Sequence, residues 1–578
     1  MPLSPLQGTL RRSGAAVKAA GRDACMRKPQ AGWTRRRRSG SIARMNGSRG
    51  SSRAAISELA RERLGFERLR PGQEQAVAAA AAGRHVLAVL PTGAGKSAIY
   101  ELAGLLRRGP TVVVSPLIAL QDDQLAHLRE AGLSATVLNS AQVAGARAAA
   151  LVEAGGPDEF VFVSPEQLGN DETRAALRRA RPGLFVVDEA HLVSQWGRSF
   201  RPDYLRLGAQ ADELGAGVRI ALTATAAPPV RVEICRRLGL RDPEVVIGDF
   251  DRPYIYLAVQ RARSPEDKQR LIAQAADELG GSGIVYAATH AGAEAARDTL
   301  AAAGERVTLY HAGLGAGARR RAMAGFLDGS ARIVAATVAF GMGVDKPDVR
   351  WVLHADAPVS LDAYYQELGR AGRDGKPAEA RLLYRPQDVG AARHLTARGV
   401  SEAVVAEVAE ELAAAGVRGP GSRSATLALA RLVDVGAAAW AADGRVRWTG
   451  EMDVDAALAA SREEGERERE VERSRLEMMR RYAEHTACRR SFLLSYFGQD
   501  HPGPCGACDN DRGHALAGPV AEPFPVGARV ASDRWGDGTV QRYDGDQVTV
   551  LFDDHGYRDL LVSLVVARRL LRARHDRV

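Results

Sequence analysis

Short apolar segments that alternate with alanine-rich helical stretches constrain the fold of this chain more than any other feature. They recur between about residues 54 and 388, first as HVLAVL, TVVVSP, FVFVSP, LFVVDE and RIALTAT, then as GIVYAA, VTLYHA, RIVAAT and WVLHAD. Strands that lack polar alternation and are separated by helices are typical of parallel sheets covered on both faces. The two series therefore predict an α/β fold with two tandem parallel-sheet domains, at 54–249 and 250–388, joined by a hinge near DFDRPY.

The N-terminal 53 residues differ in composition from the rest of the chain. They contain 13 Lys or Arg and one acidic residue, whereas the whole chain of 578 residues has a net charge of +9, so the remainder is slightly acidic. The pI of about 9.4 is therefore no argument that the body binds nucleic acid. Residues 1–53 are predicted to be a disordered basic tail. Three interpretations stay open: an organellar transit peptide, a polyanion-binding arm, or an over-extended start that precedes translation from Met45.

The pattern changes after residue 388. Residues 389–516 read as helices with a small winged-helix-like unit, whose hairpin turns at Asp443–Gly444, and with three grouped cysteines. The highly charged stretch SREEGEREREVERSRLEMMRRYAEH in this region predicts a long, solvated spacer helix. Residues 517–523 are a predicted linker, and the strong alternation across 524–572 predicts a small β-barrel.

The segment HVLAVLPTGAGKSAIY combines a strand, a glycine loop and the start of a helix. Glycines let backbone N–H groups approach phosphates, Lys96 supplies charge to the β- and γ-phosphates, and Ser97 can ligate Mg²⁺. The strict pattern G-x-x-x-x-G-K-S is not met, because Leu90 occupies the first glycine position. An ordinary glycine-rich turn is the alternative, but the succession of strand, loop and helix favours an ATP-binding loop. Its candidate nucleotide ligands are Thr92, Gly93, Gly95, Lys96 and Ser97.

Two adjacent carboxylates leave the end of the strand in LFVVDEAH. Asp188 is the candidate Mg²⁺ ligand, and Glu189 is the candidate base that orients and deprotonates the attacking water. An acidic pair after a strand is often only a helix N-terminus. Its position downstream of the phosphate loop favours the catalytic interpretation.

Two arginines in QELGRAGRDG are the third candidate element. Arg370 and Arg373 lie three residues apart, so on a helix they share one face. Two guanidiniums aimed across an interdomain cleft would stabilise charge on the γ-phosphoryl oxygens. The alternative is a surface salt bridge with Glu367 or Asp374.

Taken together, these motifs resemble the RecQ family of superfamily 2 DNA helicases. The resemblance covers about 64–388 and 475–510, and includes FERLRPGQ, PTGAGKS, VVVSPLIALQDDQ, DEAH, SQWGRSFRPDY, ALTATA, AFGMGVDKPDVR and QELGRAGRDG in order. It implies two RecA-like domains and ATP-driven 3′→5′ movement on DNA, in repair or recombination, with Arg370 and Arg373 as arginine fingers. It also implies nucleotide contacts from Phe66, Arg70, Gln73 and Asp345.

The aromatic, basic loop SQWGRSFRPDY follows the acidic pair closely. Aromatic faces stack on bases without sequence preference, each worth about 1–3 kcal/mol, so this loop is expected to sense a DNA strand and reposition Glu189. The alternative is that Trp196 and Phe200 cap a core. The residues expected to bind DNA or to couple it to the ATP site are His191, Trp196, Arg198, Phe200, Arg201, Thr223 and Thr225.

The stretch CRRSFLLSYFGQDHPGPCGACDND resembles the zinc platform of the same family, which uses four cysteines. Cys488, Cys505 and Cys508 match, and the fourth ligand is either Asp511, which is in register, or His514, which is the softer donor. Zinc is therefore expected, in a reducing cytosol. The alternative is a degenerate site without metal.

The C-terminus departs from the family, because the winged-helix domain that usually follows the zinc platform is missing. Residues 424–448 are a candidate substitute for its strand-separating wing. The predicted barrel resembles the Tudor-like barrel of UvrD-type helicases, which implies docking to a protein such as RNA polymerase, with DNA as the second choice.

No apolar run approaches the roughly 20 residues that cross a bilayer, so a cytoplasmic, nucleoid-associated protein is expected. Besides a helicase, two other functions are open. One is a DNA-stimulated ATPase that translocates or remodels complexes without unwinding, and the other is a recruitment protein with a vestigial ATPase.

Overall fold

The computed structural model describes most of the chain in ten segments. They are residues 53–116, 118–138, 160–193, 202–341, 346–388, 400–441, 444–501, 503–511, 523–544 and 547–574. Contacts divide the chain into two units, Met1–Asp249 with Val400–Glu464, and Phe250–Gly399 with Gly465–Val578. The predicted region 389–516 therefore contributes to both units.

The first unit is built around a parallel sheet of seven strands in the order β3-β4-β2-β5-β6-β1-β7. The strands are β1 (Val86–Val89), β2 (Thr111–Val114), β3 (Ala135–Leu138), β4 (Phe160–Val163), β5 (Leu184–Val187), β6 (Val218–Thr223) and β7 (Glu244–Ile247). Every residue of β1 to β6 is buried, which explains their unbroken apolar sequences. The helices are α1 (Arg53–Leu64), α2 (Gln73–Ala81), α3 (Ser97–Leu106), α4 (Ile118–Glu130), α5 (Pro165–Leu168), α6 (Asp171–Ala180), α7 (Leu207–Glu213) and α8 (Pro228–Arg237).

The second unit begins with a parallel sheet of six strands in the order β10-β11-β9-β12-β13-β8. The strands are β8 (Ile255–Arg261), β9 (Ser282–Tyr286), β10 (Val307–Tyr310), β11 (Ile333–Ala336), β12 (Val349–His354) and β13 (Ala378–Tyr384). The helices are α9 (Pro265–Glu278), α10 (His290–Ala302), α11 (Ala316–Leu327) and α12 (Leu361–Leu368). Two parallel-sheet domains of the predicted class are therefore present.

A small module after the second sheet packs with the first unit. It consists of α13 (Glu402–Ala415), β14 (Val417–Arg418), α14 (Arg423–Asp434), β15 (Ala438–Trp440) and β16 (Val446–Trp448). Its strands pair antiparallel in the order β14-β16-β15, in the succession helix, strand, helix and hairpin. The winged-helix-like character of this module stays a prediction. Asp434 at the end of α14 accepts a hydrogen bond of 3.0 Å from Arg237 of α8, which fixes the module to the first sheet domain.

The long charged helix α15 (Val454–Glu484) corrects one sequence expectation. It is not a solvated spacer throughout, because Met478, Met479 and Tyr482 are buried. Tyr482 packs its ring 5.1 Å from Tyr364 of α12, and Arg475 forms an ion pair of 2.6 Å with Asp362. The sequence does not reveal these buried positions, because charged residues are usually exposed and α15 contains many of them. It also does not show which arginines pair with a carboxylate instead of facing water.

The C-terminal segment forms an antiparallel sheet of five strands in the order β20-β19-β18-β17-β21. The elements are β17 (Arg529–Ser532), β18 (Gly536–Asp544), β19 (Gln547–Phe552), β20 (Gly556–Leu561), α17 (Val562–Arg568) and β21 (Arg572–Ala573). The sheet packs within the second unit: Tyr557 stacks 5.4 Å from Tyr496 of α16 (Arg489–Tyr496), and the guanidinium of Arg542 lies 3.7 Å from the ring centre of Phe492. The tested part of the fold expectation, two parallel sheets followed by a helical, zinc-binding region and a C-terminal antiparallel sheet, is confirmed.

Candidate active site

The phosphate loop lies between β1 and α3, where the sequence predicts it. Gly93 and Gly95 have φ values of +80° and +70°, in the left-handed region that favours glycine. Lys96 directs its amine toward the loop, with Nζ 3.3 Å from the carbonyl oxygen of Leu90. Ser97 begins α3, so its hydroxyl lies at the helix N-terminus, the position from which a loop of this kind holds a cation.

Gln73 contacts the phosphate loop through side-chain hydrogen bonds. Its amide nitrogen donates to the carbonyl oxygens of Ala94 and Gly95, at 2.9 and 2.7 Å, and its oxygen accepts from the backbone N–H of Arg70 at 2.6 Å. Arg70 also donates to the carbonyl oxygen of Gly93. The residues that the family resemblance assigns to nucleotide reading therefore bind the phosphate loop directly in this structure. Spacing in the sequence does not reveal this contact, because about 20 residues separate the partners.

Phe66 packs beside the same region, against the ring of His127 at 6.2 Å between centroids. Nε2 of His127 lies 3.9 Å from a carboxylate oxygen of Glu101 in α3. Glu101 is wholly buried, and neither carboxylate oxygen has a hydrogen-bond partner among the described residues. Burial raises the pKa of Glu101 to about 7. Sequence analysis missed this residue, because a lone Glu in a helix carries no signal of burial.

Asp188 and Glu189 follow β5, as predicted. The backbone N–H of Asp188 donates to the carbonyl of Val114 at 2.9 Å, which extends the β5–β2 pairing to the acidic pair. Burial, and then the negative charge of Glu189, raise the pKa of Asp188 to about 6, while Lys96 acts in the opposite direction. Glu189 has a φ of +49°, an uncommon conformation for a side chain of this size. Burial therefore makes this carboxyl costly to ionise, and a nearby positive charge lowers that cost.

His191 connects the acidic pair to the next motif. Its Nδ1 lies 3.3 Å from Oε2 of Glu189 and 3.0 Å from the hydroxyl of Thr223. The Thr223 hydroxyl in turn donates to the carbonyl oxygen of Thr225 at 2.9 Å. The backbone carbonyl of Thr223 also accepts from Leu90 N–H at the start of the phosphate loop, at 3.0 Å. The structure therefore joins the phosphate loop, the acidic pair and the ALTATA segment in one network.

The two candidate arginine fingers lie in the second unit, after α12. The helix ends at Leu368, so Arg370 and Arg373 lie in the following turns and not on one helical face. Each of the two acids considered as salt-bridge partners contacts another residue. Glu367 pairs with His354 at 2.9 Å, and Asp374 pairs with Arg350 at 2.6 Å.

Several predicted site residues lie outside the described part of the chain. The residues are Trp196, Arg198, Phe200, Arg201, Asp345 and His514. Their assignments remain predictions.

The three grouped cysteines meet at the N-terminal end of α16. The candidate ligand atoms of Cys488, Cys505, Cys508 and Asp511 all lie within 4.8 Å of one another. The backbone N–H of Ala507 lies 3.4 Å from Sγ of Cys505, and hydrogen bonds with the other two thiols lower the pKa of Cys488. Three thiols and one carboxylate at this separation fit a four-coordinate zinc ion.

Comparison with known families agrees with this geometry. Residues 70–232 match the DEAD/DEAH box helicase model, residues 267–375 match the helicase conserved C-terminal domain, and residues 450–512 match the RecQ zinc-binding domain. The first sheet domain is therefore similar to DEAD/DEAH box helicases, and the second is similar to the conserved C-terminal domain of helicases.

Two curated relatives are similar to this chain over more than half of its length. The ATP-dependent DNA helicase RecQ of Pasteurella multocida is 32% identical over 448 residues, which cover 77% of this chain and 60% of that protein. The ATP-dependent DNA helicase RecQ of Bacillus subtilis is 38% identical over 338 residues, covering 57% of this chain and 56% of that protein. Together with the zinc-binding match, these similarities show that the chain resembles RecQ helicases over its sheet domains and its cysteine-containing region.

The chain spans about three fifths of the length of these two relatives. Among solved structures, the Mycobacterium smegmatis helicase Lhr bound to ssDNA and AMP-PNP matches with a TM-score of 0.48 and 20% identity, over 71% of this chain and 60% of that chain. Among the described residues, no helix combines the length and apolar character that spanning a membrane requires.

Proposed function

We propose that this protein is an ATP-dependent DNA helicase, which couples ATP hydrolysis to 3′→5′ translocation on DNA and to unwinding during repair or recombination. The observation that carries the proposal is the network from the phosphate loop through Glu189 and His191 to Thr223 and Thr225. A network of this kind gives the catalytic acid a physical connection to a segment that can move with DNA. The preference for DNA rests on the relatives, which are named as DNA helicases. The direction rests on the resemblance of the sequence motifs to the RecQ family.

In this proposal, Lys96 neutralises the β- and γ-phosphates, and Glu189 accepts a proton from the attacking water. Asp188 and Ser97 would hold Mg²⁺, which when bound supplies charge neutralisation at the phosphate oxygens. Arg370 and Arg373 stabilise charge on the γ-phosphoryl group during hydrolysis. Phe66 and Asp345 are further proposed nucleotide contacts, and Arg70 and Gln73 position the loop through the bonds described above.

DNA would contact the loop that carries Trp196, Arg198, Phe200 and Arg201, because aromatic and cationic side chains together suit a single strand. We expect Trp196→Ala to retain basal ATP hydrolysis and to lose its stimulation by single-stranded DNA. Full stimulation in this variant would contradict a coupling role for the loop.

A second function, a DNA-stimulated translocase that remodels complexes without unwinding, is favoured by one observation. Three of the exposed large apolar residues, Leu561, Leu564 and Val566, lie within six positions of the chain at α17, beside the C-terminal sheet. A strand-displacement assay on a 3′-tailed duplex, with Lys96→Ala as control, decides between the two. A helicase displaces the strand and needs Lys96, whereas a remodelling translocase shows DNA-stimulated ATP hydrolysis without displacement.

We propose that the C-terminal sheet is a Tudor-like partner module, with RNA polymerase as the first candidate partner and DNA as the second. The apolar group at α17 supports a protein partner, because nucleic acid is bound mainly through cationic and aromatic groups. Leu564→Asp should abolish co-purification with RNA polymerase and leave DNA affinity intact. We propose that the protein is associated with the nucleoid, because it would be bound to DNA there.

We propose that Cys488, Cys505, Cys508 and Asp511 hold zinc, with His514 as the alternative fourth ligand. Asp511 is supported by its position, since Oδ2 accepts a hydrogen bond of 2.9 Å from Gly506 N–H beside the thiols. Metal analysis tests this: the parental protein and His514→Ala should each hold one zinc, and Asp511→Ala should lose most of it. Zinc loss in His514→Ala alone would assign the ligand to that histidine.

A further inference from the structure

Tyr204 holds the backbone of the acidic pair. Its hydroxyl donates a hydrogen bond of 3.2 Å to the carbonyl oxygen of Asp188, and its side chain is buried in the turn Pro202–Arg206. The N–H of Asp188 donates to the carbonyl of Val114 in β2. Because the N–H and the carbonyl of Asp188 are both engaged, the position of its carboxyl group depends on the turn that carries Tyr204.

The small module of α13 to β16 packs against this turn through helix α14, which lies beside Pro202–Arg206. One side of α14 belongs to the module's own core, where Leu429 is wholly buried. Thr426, Ala430 and Asp434 form a second stripe with a spacing of four residues, outside that core cluster. They are buried as well, with 5%, 1% and, for the Asp434 side chain, 7% exposed. A helix covered on both sides is not free to enter a groove of DNA, so its contacts indicate a packing role.

Asp434 ends the second stripe and forms the ion pair that holds the module to α8. Its Oδ2 lies 3.0 Å from Arg237, and Glu233, one turn earlier on α8, pairs with the same guanidinium at 2.7 Å. None of the three side chains is more than 9% exposed. Helix α8 lies beside the turn Ala190–Val193, which carries His191. The ion pair therefore fixes the module to a helix that contacts the segment directly after the acidic pair.

The hairpin of β15 and β16 approaches the first sheet domain at a third place. A Cβ atom added to Gly444 would lie 4.0 Å from Nη1 of Arg174 in α6. Arg174 is itself only 3% exposed, and its Nε lies 2.9 Å from a carboxylate oxygen of Glu213 in α7, the helix that follows Pro202–Arg206 directly. The module is thus held at α6, at α8 and at the turn that carries the tyrosine.

We propose that the small module supports the acidic pair, and that Asp434 and Tyr204 are positioning residues for ATP hydrolysis. Asp434 keeps α14 against the turn Pro202–Arg206, and Tyr204 in that turn keeps the backbone of Asp188 in place. A displacement of about 1 Å at a catalytic group can cost about 10²-fold in rate, so a support of this kind affects the chemical step. All of these residues belong to the first unit. The inference rests on the proposed function, because it assumes that Asp188 and Glu189 act on ATP.

The test uses the full chain and variants that change few atoms. Tyr204→Phe removes the hydroxyl that holds the carbonyl of Asp188 and keeps the buried ring. Asp434→Asn removes the charge that pairs with Arg237 and keeps the shape of the side chain. Asp434→Glu is the conservative variant, since it keeps a carboxylate.

Two matched controls lie in the C-terminal part of the chain. The hydroxyl of Tyr543 also donates to a backbone carbonyl, that of Phe524 at 2.8 Å, so Tyr543→Phe removes a bond of the same kind. Asp553 pairs with Arg529 at 2.8 Å, so Asp553→Asn removes a comparable charge. For each protein, the kcat and KM for ATP, the Mg²⁺ concentration at half-maximal rate and Tm are measured with saturating single-stranded DNA.

We expect Tyr204→Phe and Asp434→Asn each to lower kcat about three- to tenfold with a KM change below about twofold, because the phosphate loop is not altered. The Mg²⁺ concentration at half-maximal rate should rise about threefold in both, since Asp188 is the proposed ligand. Asp434→Glu should restore kcat to within about twofold, and both controls should match the parental protein. The double variant should lower kcat by less than the product of the single effects, because both changes act on the same turn.

Parental kcat and Mg²⁺ dependence in Tyr204→Phe would overturn the inference, and this variant decides the matter even if Asp434→Asn does not fold. Losses that only follow the folded fraction, or equal losses in Asp434→Asn and Asp434→Glu, would overturn it as well. A parental protein without DNA-stimulated hydrolysis would instead refute the proposed function.

Discussion

Replacement of Glu101 by Gln isolates the cost of burying a carboxyl group beside the phosphate loop. The carboxyl is wholly buried, its oxygens lack hydrogen-bond partners among the described residues, and burial raises its pKa from 4.5 to about 7. At about 1.36 kcal/mol for each unit, full ionisation costs the folded state about 3 kcal/mol relative to the unfolded chain.

The direction in which stability changes with pH follows from proton binding by Glu101. Because the folded pKa is raised, the folded protein binds this proton more tightly, so stability is greatest at low pH and falls as the pH rises from 4.5 to about 7. Between about pH 5.5 and 7.5, Glu101 alone should remove about 2 kcal/mol, which corresponds to about 4–8 °C in Tm for a domain of this size. Glu101→Gln has the shape of the neutral acid and should lack this loss.

Thermal denaturation of both proteins across this pH range measures the difference. Glu130→Gln is the matched control, since it removes an exposed carboxylate from α4. The parental protein should lose Tm relative to Glu101→Gln as the pH rises, whereas Glu130→Gln should follow the parental curve. If the parental and Glu101→Gln curves stay parallel, the carboxyl is not held neutral by burial, and the reasoning fails.

Three further outcomes are expected. Arg370→Ala should lower the kcat of DNA-stimulated ATP hydrolysis by about 10²–10³ with a smaller change in KM, and a rate near the parental one would remove Arg370 from the catalytic step. Because the raised pKa of Asp188 is about 6, the apparent affinity for Mg²⁺ should rise with pH below that value and level off above it. Titration of ATPase activity with Mg²⁺ at several pH values measures this affinity, and an affinity that does not change with pH argues against Asp188 as a ligand. Tyr557→Ala should lower the stability of the C-terminal sheet by about 3–5 kcal/mol, seen as loss of its amide protection in hydrogen exchange, and unchanged protection would contradict its packing on Tyr496.

Local patterns account for what the sequence predicted well. The segments HVLAVL, TVVVSP and LFVVDE contain strands β1, β2 and β5, because a strand buried on both faces must be apolar throughout. The position of the phosphate loop follows from the same logic, since a strand, a glycine turn and a helix are consecutive in the chain.

Features that depend on long-range packing were not predictable in this way. The bond from Gln73 to Ala94 in the phosphate loop and the bond from the N–H of Phe250 to Gln499 join residues separated by 21 and 249 positions, and no periodicity relates such partners. The buried half of α15 was missed for a related reason. Its apolar side chains are outnumbered by charged ones, and the burial of Arg475 beside Asp362 becomes visible only in the structure.

The first unit is discontinuous in sequence, because Val400–Glu464 completes it only after the second sheet has been made. On the ribosome, Arg237 must therefore wait until 197 further residues have been added before its contact with Asp434 can form. The second sheet domain can fold during that delay. The sheet domain that is synthesised first is therefore completed after the second sheet has formed. A chain shortened to the two motor domains would leave the surface around Arg237 uncovered and should be prone to aggregate, even though every ATP-site motif is retained.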